Sequence, residues 1–278
     1  MGAKTTYLER RQMNFIMVTN NPAFARQSEL AGVNRVFIDL ERKGKLERQG
    51  HLDTFISNHS FEDIAPVKKI LNQADLLVRL NPLHEGSSNE IEQTIDRGAD
   101  IIMLPMFNSA DEVADFSRMI NGRVKFIPLI ETKNAAEDIH NIVKVNGVDE
   151  LFIGLNDLHL QMGLNFMFET VSSGYVDNLA SVIRPTKIPF GFGGVARIGE
   201  GAIPAEIVLA EHLRLGSSSV ILSRTFRKTV SDNFNLFDEV NKLKNCIDDL
   251  EKRSSEEAEQ DRINFKKKVN EFVKGRLS

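Results

Sequence analysis

Two carboxylates, Glu131 and Asp157, stand just past short apolar runs, Phe126–Ile130 and Leu151–Leu155. If those runs are adjacent parallel strands, the two side chains converge on one point. Carboxylates at close range cannot both stay ionised unless a cation or a proton sits between them. Mg²⁺ suits such a pair, because it takes one or two carboxylates and fills its remaining positions with water and substrate oxygens. No His or Cys cluster accompanies them, which disfavours zinc. The alternative is that the two acids cap unrelated helices.

Arg79 lies within Leu76-Leu-Val-Arg-Leu, an apolar setting in which a guanidinium needs an anion. Its planar fork suits a carboxylate or an enolate oxygen. The competing reading is a structural ion pair with Asp39 or Glu41, which share one face of the preceding strand because alternate residues point the same way. Both readings are compatible. Glu41 is expected to reach the metal through bound waters, and Asp39 to orient Arg79. Gly191-Phe-Gly-Gly offers backbone that a ligand can approach closely, or a tight turn. His84 and His159 follow apolar runs and are candidate acids or bases; His140 and His212 fall inside helical patterns and read as surface or packing residues. No Gly-x-Ser-x-Gly, P-loop or Cys-x-x-Cys motif is present.

The elements that must position these groups repeat along the chain. Apolar runs occur at Phe15–Val18, Val36–Leu40, Leu76–Leu80, Ile101–Leu104, Phe126–Ile130, Leu151–Leu155, Phe190–Phe192 and Val220–Leu222. Continuous rather than alternating apolar character suits parallel strands buried on both faces. Helical stretches separate them, with Ser109 and Glu112 in capping positions, Pro22, Pro66 and Pro204 at starts, and Gly32, Gly98, Gly122, Gly147 and Gly216 at ends. Eight such repeats predict a (β/α)₈ TIM barrel over residues 1–230, with a doubly wound open sheet as the alternative. Residues 231–278 form a C-terminal helical extension. There, Leu236, Val240, Leu243, Ile247 and Leu250 make a short heptad seam, Ser254–Gln260 an acidic break, and Ile263, Phe265, Val269 and Phe272 a second amphipathic face. This extension either packs on its own barrel or is exchanged with a neighbouring subunit. Two longer insertions are expected over the barrel mouth: an extra helix at Arg48–Ser57, and Leu164–Ile183, a segment that covers substrate or contacts a subunit.

The chain has 278 residues, 41% hydrophobic and 27% charged, with a net charge of −4. An α/β barrel of this length is one unit, and the absence of a basic stripe argues against nucleic acid. A single cysteine, Cys246, excludes an internal disulfide, and no apolar run approaches the length of a membrane span. With no leader pattern at the N-terminus, a cytoplasmic location is expected.

Ile38-Asp-Leu-Glu, Val78-Arg-Leu-Asn-Pro, Ile130-Glu-Thr and Phe152-Ile-Gly-Leu-Asn-Asp-Leu together resemble the signatures of the HpcH/HpaI aldolase and citrate lyase β-subunit family, in order and spacing. The resemblance runs from about Asn14 to Phe226. It implies a phosphoenolpyruvate/pyruvate-type barrel that makes or breaks a carbon–carbon bond beside a carbonyl. Glu131 and Asp157 would hold Mg²⁺ or Mn²⁺, Arg79 and the metal would bind a 2-oxo acid or its enolate, and amides of Gly154, Leu155, Asn156 and Asp157 would receive its carboxylate. Asp39, Glu41 and Arg79 then count as the catalytic set. The resemblance also implies a homo-oligomer, a trimer or hexamer with exchange of the last helix. The chain departs from the pattern at Arg42, where the aldolase branch has a catalytic His and the lyase branch an Asp, and it lacks the His-Pro segment common in acyl-CoA lyases. Arg42, Arg197 and Arg224 are instead a candidate anion-binding rim for a phosphorylated or multiply carboxylated substrate. The expected activity is a metal-dependent aldolase or lyase; the alternatives are a citrate-lyase-like acyl-CoA lyase and a barrel that has lost catalysis and serves assembly.

Overall fold

The computed structural model describes residues 13–43, 58–227 and 234–277. Eight parallel strands close into a barrel in sequential order. They are β1 (Asn14–Val18), β2 (Arg35–Asp39), β3 (Asp75–Arg79), β4 (Ile101–Leu104), β5 (Lys125–Ile130), β6 (Leu151–Ile153), β7 (Phe190–Val195) and β8 (Ser219–Leu222). The helices between them are α1 (Pro22–Leu30), α2 (Ile64–Ile70), α3 (Ser87–Asp96), α4 (Ala110–Ile120), α5 (Lys133–Glu137), α6 (Ile139–Ile142), α7 (Leu155–Gln161), α8 (Glu169–Ser172), α9 (Tyr175–Ile183) and α10 (Ala205–Leu215). The doubly wound alternative is excluded by closure of β1 onto β8. The predicted helix at Arg48–Ser57 lies outside the described residues.

Although the apolar runs are continuous in sequence, the strands sort them with period two. Ile16, Phe37, Leu77, Ile127, Leu129 and Phe152 point into the barrel and pack on one another. Their neighbours Met17, Ile38, Val78, Phe126 and Ile130 point outward into the layer under the helices. Below the apolar interior layer sits a polar one. Arg35 donates both Nη groups to the two carboxylate oxygens of Glu150 at 3.0 and 2.7 Å, and Ser219 Oγ donates to Glu150 Oε1 at 2.6 Å. A carboxylate beside a guanidinium and a hydroxyl is fully satisfied there, out of solvent.

Two boundaries differ from expectation. The run Leu151–Leu155 is strand only to Ile153; Gly154 turns the chain and Leu155 opens α7. Leu155 is apolar because it is buried on the helix, not because it pairs in the sheet. The acidic stretch after Ser254 is a helix start rather than a break. Ser254 Oγ accepts from the Glu257 N–H at 3.2 Å and Glu257 Oε2 accepts from the Ser254 N–H at 2.8 Å, a capping box that launches α12 (Ser255–Leu277).

The heptad seam is the buried face of α11 (Leu236–Leu250), which packs on α1 and α10 of its own barrel. Helix α12 packs on α10 and α8. In it Phe265 and Val269 are buried, whereas Ile263 is exposed. The inserted segment Leu164–Ile183 is what meets this tail: Phe166 lies 4.3 Å from Phe272 and Phe168 stands edge-on to Phe265 at 5.8 Å.

Candidate active site

The strand parity that fills the barrel also delivers the polar groups. One inward step beyond Phe37 is Asp39, beyond Leu77 is Arg79, and beyond Leu129 is Glu131. All three reach a cavity of ≈ 800 Å³ at the C-terminal end of the strands, the end where barrel enzymes carry their chemistry.

Asp39 and Arg79 are direct register partners on β2 and β3. Arg79 Nε and Nη2 donate to Asp39 Oδ1 and Oδ2, both at 2.9 Å, and Nη2 lies 3.2 Å from Glu41 Oε2. The structural pairing anticipated for Arg79 is therefore present, with both acids. The guanidinium also faces the cavity. Burial works against its charge, but Asp39 and Glu41 outweigh burial and hold the Arg79 pKa well above its ordinary value. It stays a cation at any working pH.

Glu131 is nearly inaccessible at 2% exposure. Burial first, then the charges of Glu41 and Asp157, push its pKa well above the carboxylate range, with Arg79 opposing. Its Oε1 accepts the Met106 N–H at 3.1 Å. Met106 has φ 53°, a left-handed conformation rare for a residue with a side chain, so the loop after β4 carries local strain to aim that amide at the carboxylate. On the other side, a Cβ placed on Gly154 would come within 2.7 Å of Glu131 Cβ and 2.8 Å of its Oε2. Glycine at 154 is what leaves Glu131 its room. Asp157 sits one turn into α7, not at the end of a strand as expected, and is buried against the same cavity.

Leu155 and Asn156 also line the cavity, as do Gly193 and Gly194 of the glycine run. Gly191 does not: a Cβ there would meet Ser219 and Phe152 inside the barrel. His159 lines the cavity too, with Nδ1 3.1 Å from the Leu155 carbonyl. Because a carbonyl only accepts, Nδ1 is the donor in this contact. His84 is removed from the cavity; its Nδ1 accepts from Gly86 N–H and its Nε2 meets Glu90 Oε1 at 3.1 Å. His140 is exposed, and His212 is fully buried and stacked on Phe192.

Of the expected arginine rim, only Arg224 lines the cavity. The exposed Arg42 side chain donates to the His59 carbonyl at 2.9 Å, and its backbone N–H donates to Asn81 Oδ1. Arg197 pairs with Glu200 and lies over the Phe234 ring. Arg227 and Arg276 join Arg224 instead. Sequence reasoning missed both, and missed His59, which is buried and whose Nδ1 accepts the Asp39 N–H at 3.0 Å. Arg227 lies only three residues after Arg224, in the same turn, whereas His59 and Arg276 arrive from segments that no spacing ties to the site.

The HpcH/HpaI aldolase/citrate lyase profile matches residues 11–170, more than half of the chain. The chain belongs to this family. A 2-keto-3-deoxy-L-rhamnonate aldolase of Escherichia coli O17:K52:H18 is 24% identical over 28% of this chain and 41% of its own length. A hydroxypyruvate/pyruvate aldolase of Roseovarius nubinhibens is 22% identical over 51% of this chain and 66% of its own. The chain thus spans well under the full length of these relatives. Among solved structures, an HpcH/HpaI aldolase from Desulfitobacterium hafniense superposes with a TM-score of 0.63 at 15% identity, covering 88% of this chain and 95% of that one. The citrate synthase SbnG superposes with a TM-score of 0.57 at 17% identity, covering 76% and 86%. At these identities the likeness establishes the barrel.

The donor set fits a family-type metal. Asp39, Glu41, Glu131 and Asp157 bring four buried carboxylates together with the single guanidinium of Arg79. Asp39 and Glu41 both pair with Arg79, while Glu131 and Asp157 face the cavity together. Among the described residues no group of three or more His, Cys, Asp and Glu side chains is placed to hold a metal ion. Two carboxylates with open positions match the habit of Mg²⁺ rather than zinc. Among the described residues no helix is long and apolar enough to cross a membrane.

Proposed function

We propose that this chain is a divalent-metal-dependent carbon–carbon lyase of the aldolase type, acting on a 2-oxo acid through a pyruvate-like enolate. The observation that carries the reading is that buried Glu131 and Asp157 line one cavity with Arg79, at the C-terminal end of a family barrel. Glu131 and Asp157 would hold Mg²⁺ or Mn²⁺, which when bound would neutralise charge on substrate oxygens as a Lewis acid. Arg79 faces the cavity as a fixed cation, and Asp39 and Glu41 clamp its fork so that it meets a developing negative oxygen without reorganising. Gly154, Leu155, Asn156 and Asp157 offer the turn on which the substrate carboxylate would rest. The substrate partner is therefore a small carboxylate.

Solvent deuterium exchange into pyruvate tests this. With Mg²⁺ or Mn²⁺ present, exchange is expected in the wild type and lost in Glu131→Gln; no exchange with either ion would sink the reading. A homo-oligomer is part of the proposal. Phe237 and Ile263 on the tail helices are about half exposed, as a covered face would be in a single copy. A monomer by light scattering would count against it.

A further inference from the structure

The charge around the cavity is segregated. Its acids, Asp39, Glu131 and Asp157, come from β2, β5 and α7, with Arg79 among them. Among the described residues, the other lining side chains with a permanent charge are arginines: Arg224 and Arg227, from the turn after β8, and Arg276, from the last turn of α12. The family profile stops at residue 170 and so covers the acidic half of the cavity but none of these three positions.

The basic half is built rather than incidental. Arg276 lies over the Phe272 ring at 4.9 Å, and Phe272 packs in turn on Phe166, 4.3 Å away, which itself lines the cavity. A guanidinium stacked on an aromatic face keeps its N–H edges for an anion while losing little rotamer freedom. Phe168 against Phe265 fixes the same helix about two turns earlier. Arg227 is held in the short 3₁₀ turn Arg224–Arg227, anchored by buried Phe226.

We propose that Arg224, Arg227 and Arg276 form a second anion subsite, which receives a carboxylate or phosphate at the far end of the carbonyl partner and makes α12 a specificity element. The inference deepens the aldolase reading and rests on it for the word partner, but the subsite itself is a binding claim. A substrate that spans the cavity then carries a 2-oxo acid end for Glu131, Asp157 and Arg79, and an anionic end for the arginines. A neutral aldehyde satisfies only the first half.

Calorimetric titration of glycerol 3-phosphate, glycerate and glycerol in the presence of Mg²⁺ tests the subsite without requiring turnover. Binding of at least one charged probe, well above glycerol, is expected. Arg224→Gln and Arg276→Gln alter exposed positions, and each should weaken the charged probe about tenfold, the double variant about a hundredfold. Circular dichroism confirms folding. Glycerol 3-phosphate ahead of glycerate identifies the anion as phosphate; the reverse identifies a carboxylate. Equal binding of all three probes, or a charged-probe affinity unmoved in the double variant, overturns the subsite. The two claims fail separately. Arginine-dependent anion binding without deuterium exchange into pyruvate leaves the subsite and removes the aldolase reading. Exchange without arginine-dependent binding does the opposite.

Discussion

At the N-terminal end of the barrel, Arg35, Glu150 and Ser219 form a closed set: one cation, one anion and a hydroxyl, each satisfied by the others. At the C-terminal end, four residues further along β2, Asp39 and Glu41 pair with Arg79, and the charges of Glu41 and Asp157 press on buried Glu131. The same side-chain types and the same burial give a matched set below and a crowd of like charges around Glu131 above. The difference separates what holds the barrel together from what the barrel holds. A balanced buried pair needs nothing from solution. An unbalanced one persists only because the fold overrides it, and it is relieved by whatever the site binds.

Breaking the lower set should act on stability alone. Glu150→Gln leaves Arg35 buried and unpaired, and should destabilise by about 3–5 kcal/mol, read by urea denaturation, with activity per folded molecule unchanged. Replacing both partners, Arg35→Met with Glu150→Leu, should recover most of that loss. Breaking the upper set should do the reverse. Glu131→Gln is expected to lower kcat/KM by about 10³-fold, roughly 4 kcal/mol of transition-state stabilisation, while the melting temperature of the metal-free protein holds or rises because a strained charge is gone. If the two variants melted alike, the contrast between the ends would be empty.

A gentler perturbation sharpens it. Gly154→Ala introduces a Cβ into contact with Glu131, and the displaced carboxylate should weaken Mn²⁺ binding by about 10–100-fold, measurable by electron paramagnetic resonance titration. The last test concerns a group that belongs to neither end. His212 stacks on Phe192 with Nδ1 2.8 Å from Ser217 Oγ, and burial pulls its pKa from 6.5 down to about 3. Its folded form stays neutral where the unfolded chain takes a proton. Stability it contributes is therefore present above pH 6.5 and falls as pH drops from there toward 3, by at most about 1.4 kcal/mol per pH unit. His212→Leu should flatten that slope in melts across the interval.

The strands and the acids at their ends were legible because barrel burial writes apolar runs into the chain, and a carboxylate or arginine just after such a run has few other reasons to be there. Arg79 could be paired with Asp39 and Glu41 in advance for the same reason. What stayed hidden depends on three-dimensional arrival. Leu155 extends an apolar run in sequence yet begins a helix, since burial alone does not distinguish the two. The left-handed turn at Met106 has no glycine to announce it. Arg227 and Arg276 come to one rim from segments about fifty residues apart, and ordinary surface arginines look the same in sequence. Arg42 was expected at that rim because of where it follows β2, but its guanidinium turns to the His59 carbonyl.

The shared parity of interior and site has a hereditary consequence. Phe37 and Asp39, Leu77 and Arg79, Leu129 and Glu131 are alternate residues of single strands. Inserting or deleting one residue in any of them would exchange filler for helix-facing groups and evict the polar pair in the same stroke. Strand length is thereby tied to the position of the polar groups as well as to packing, whereas the turn after β8 and α12 carry no such parity.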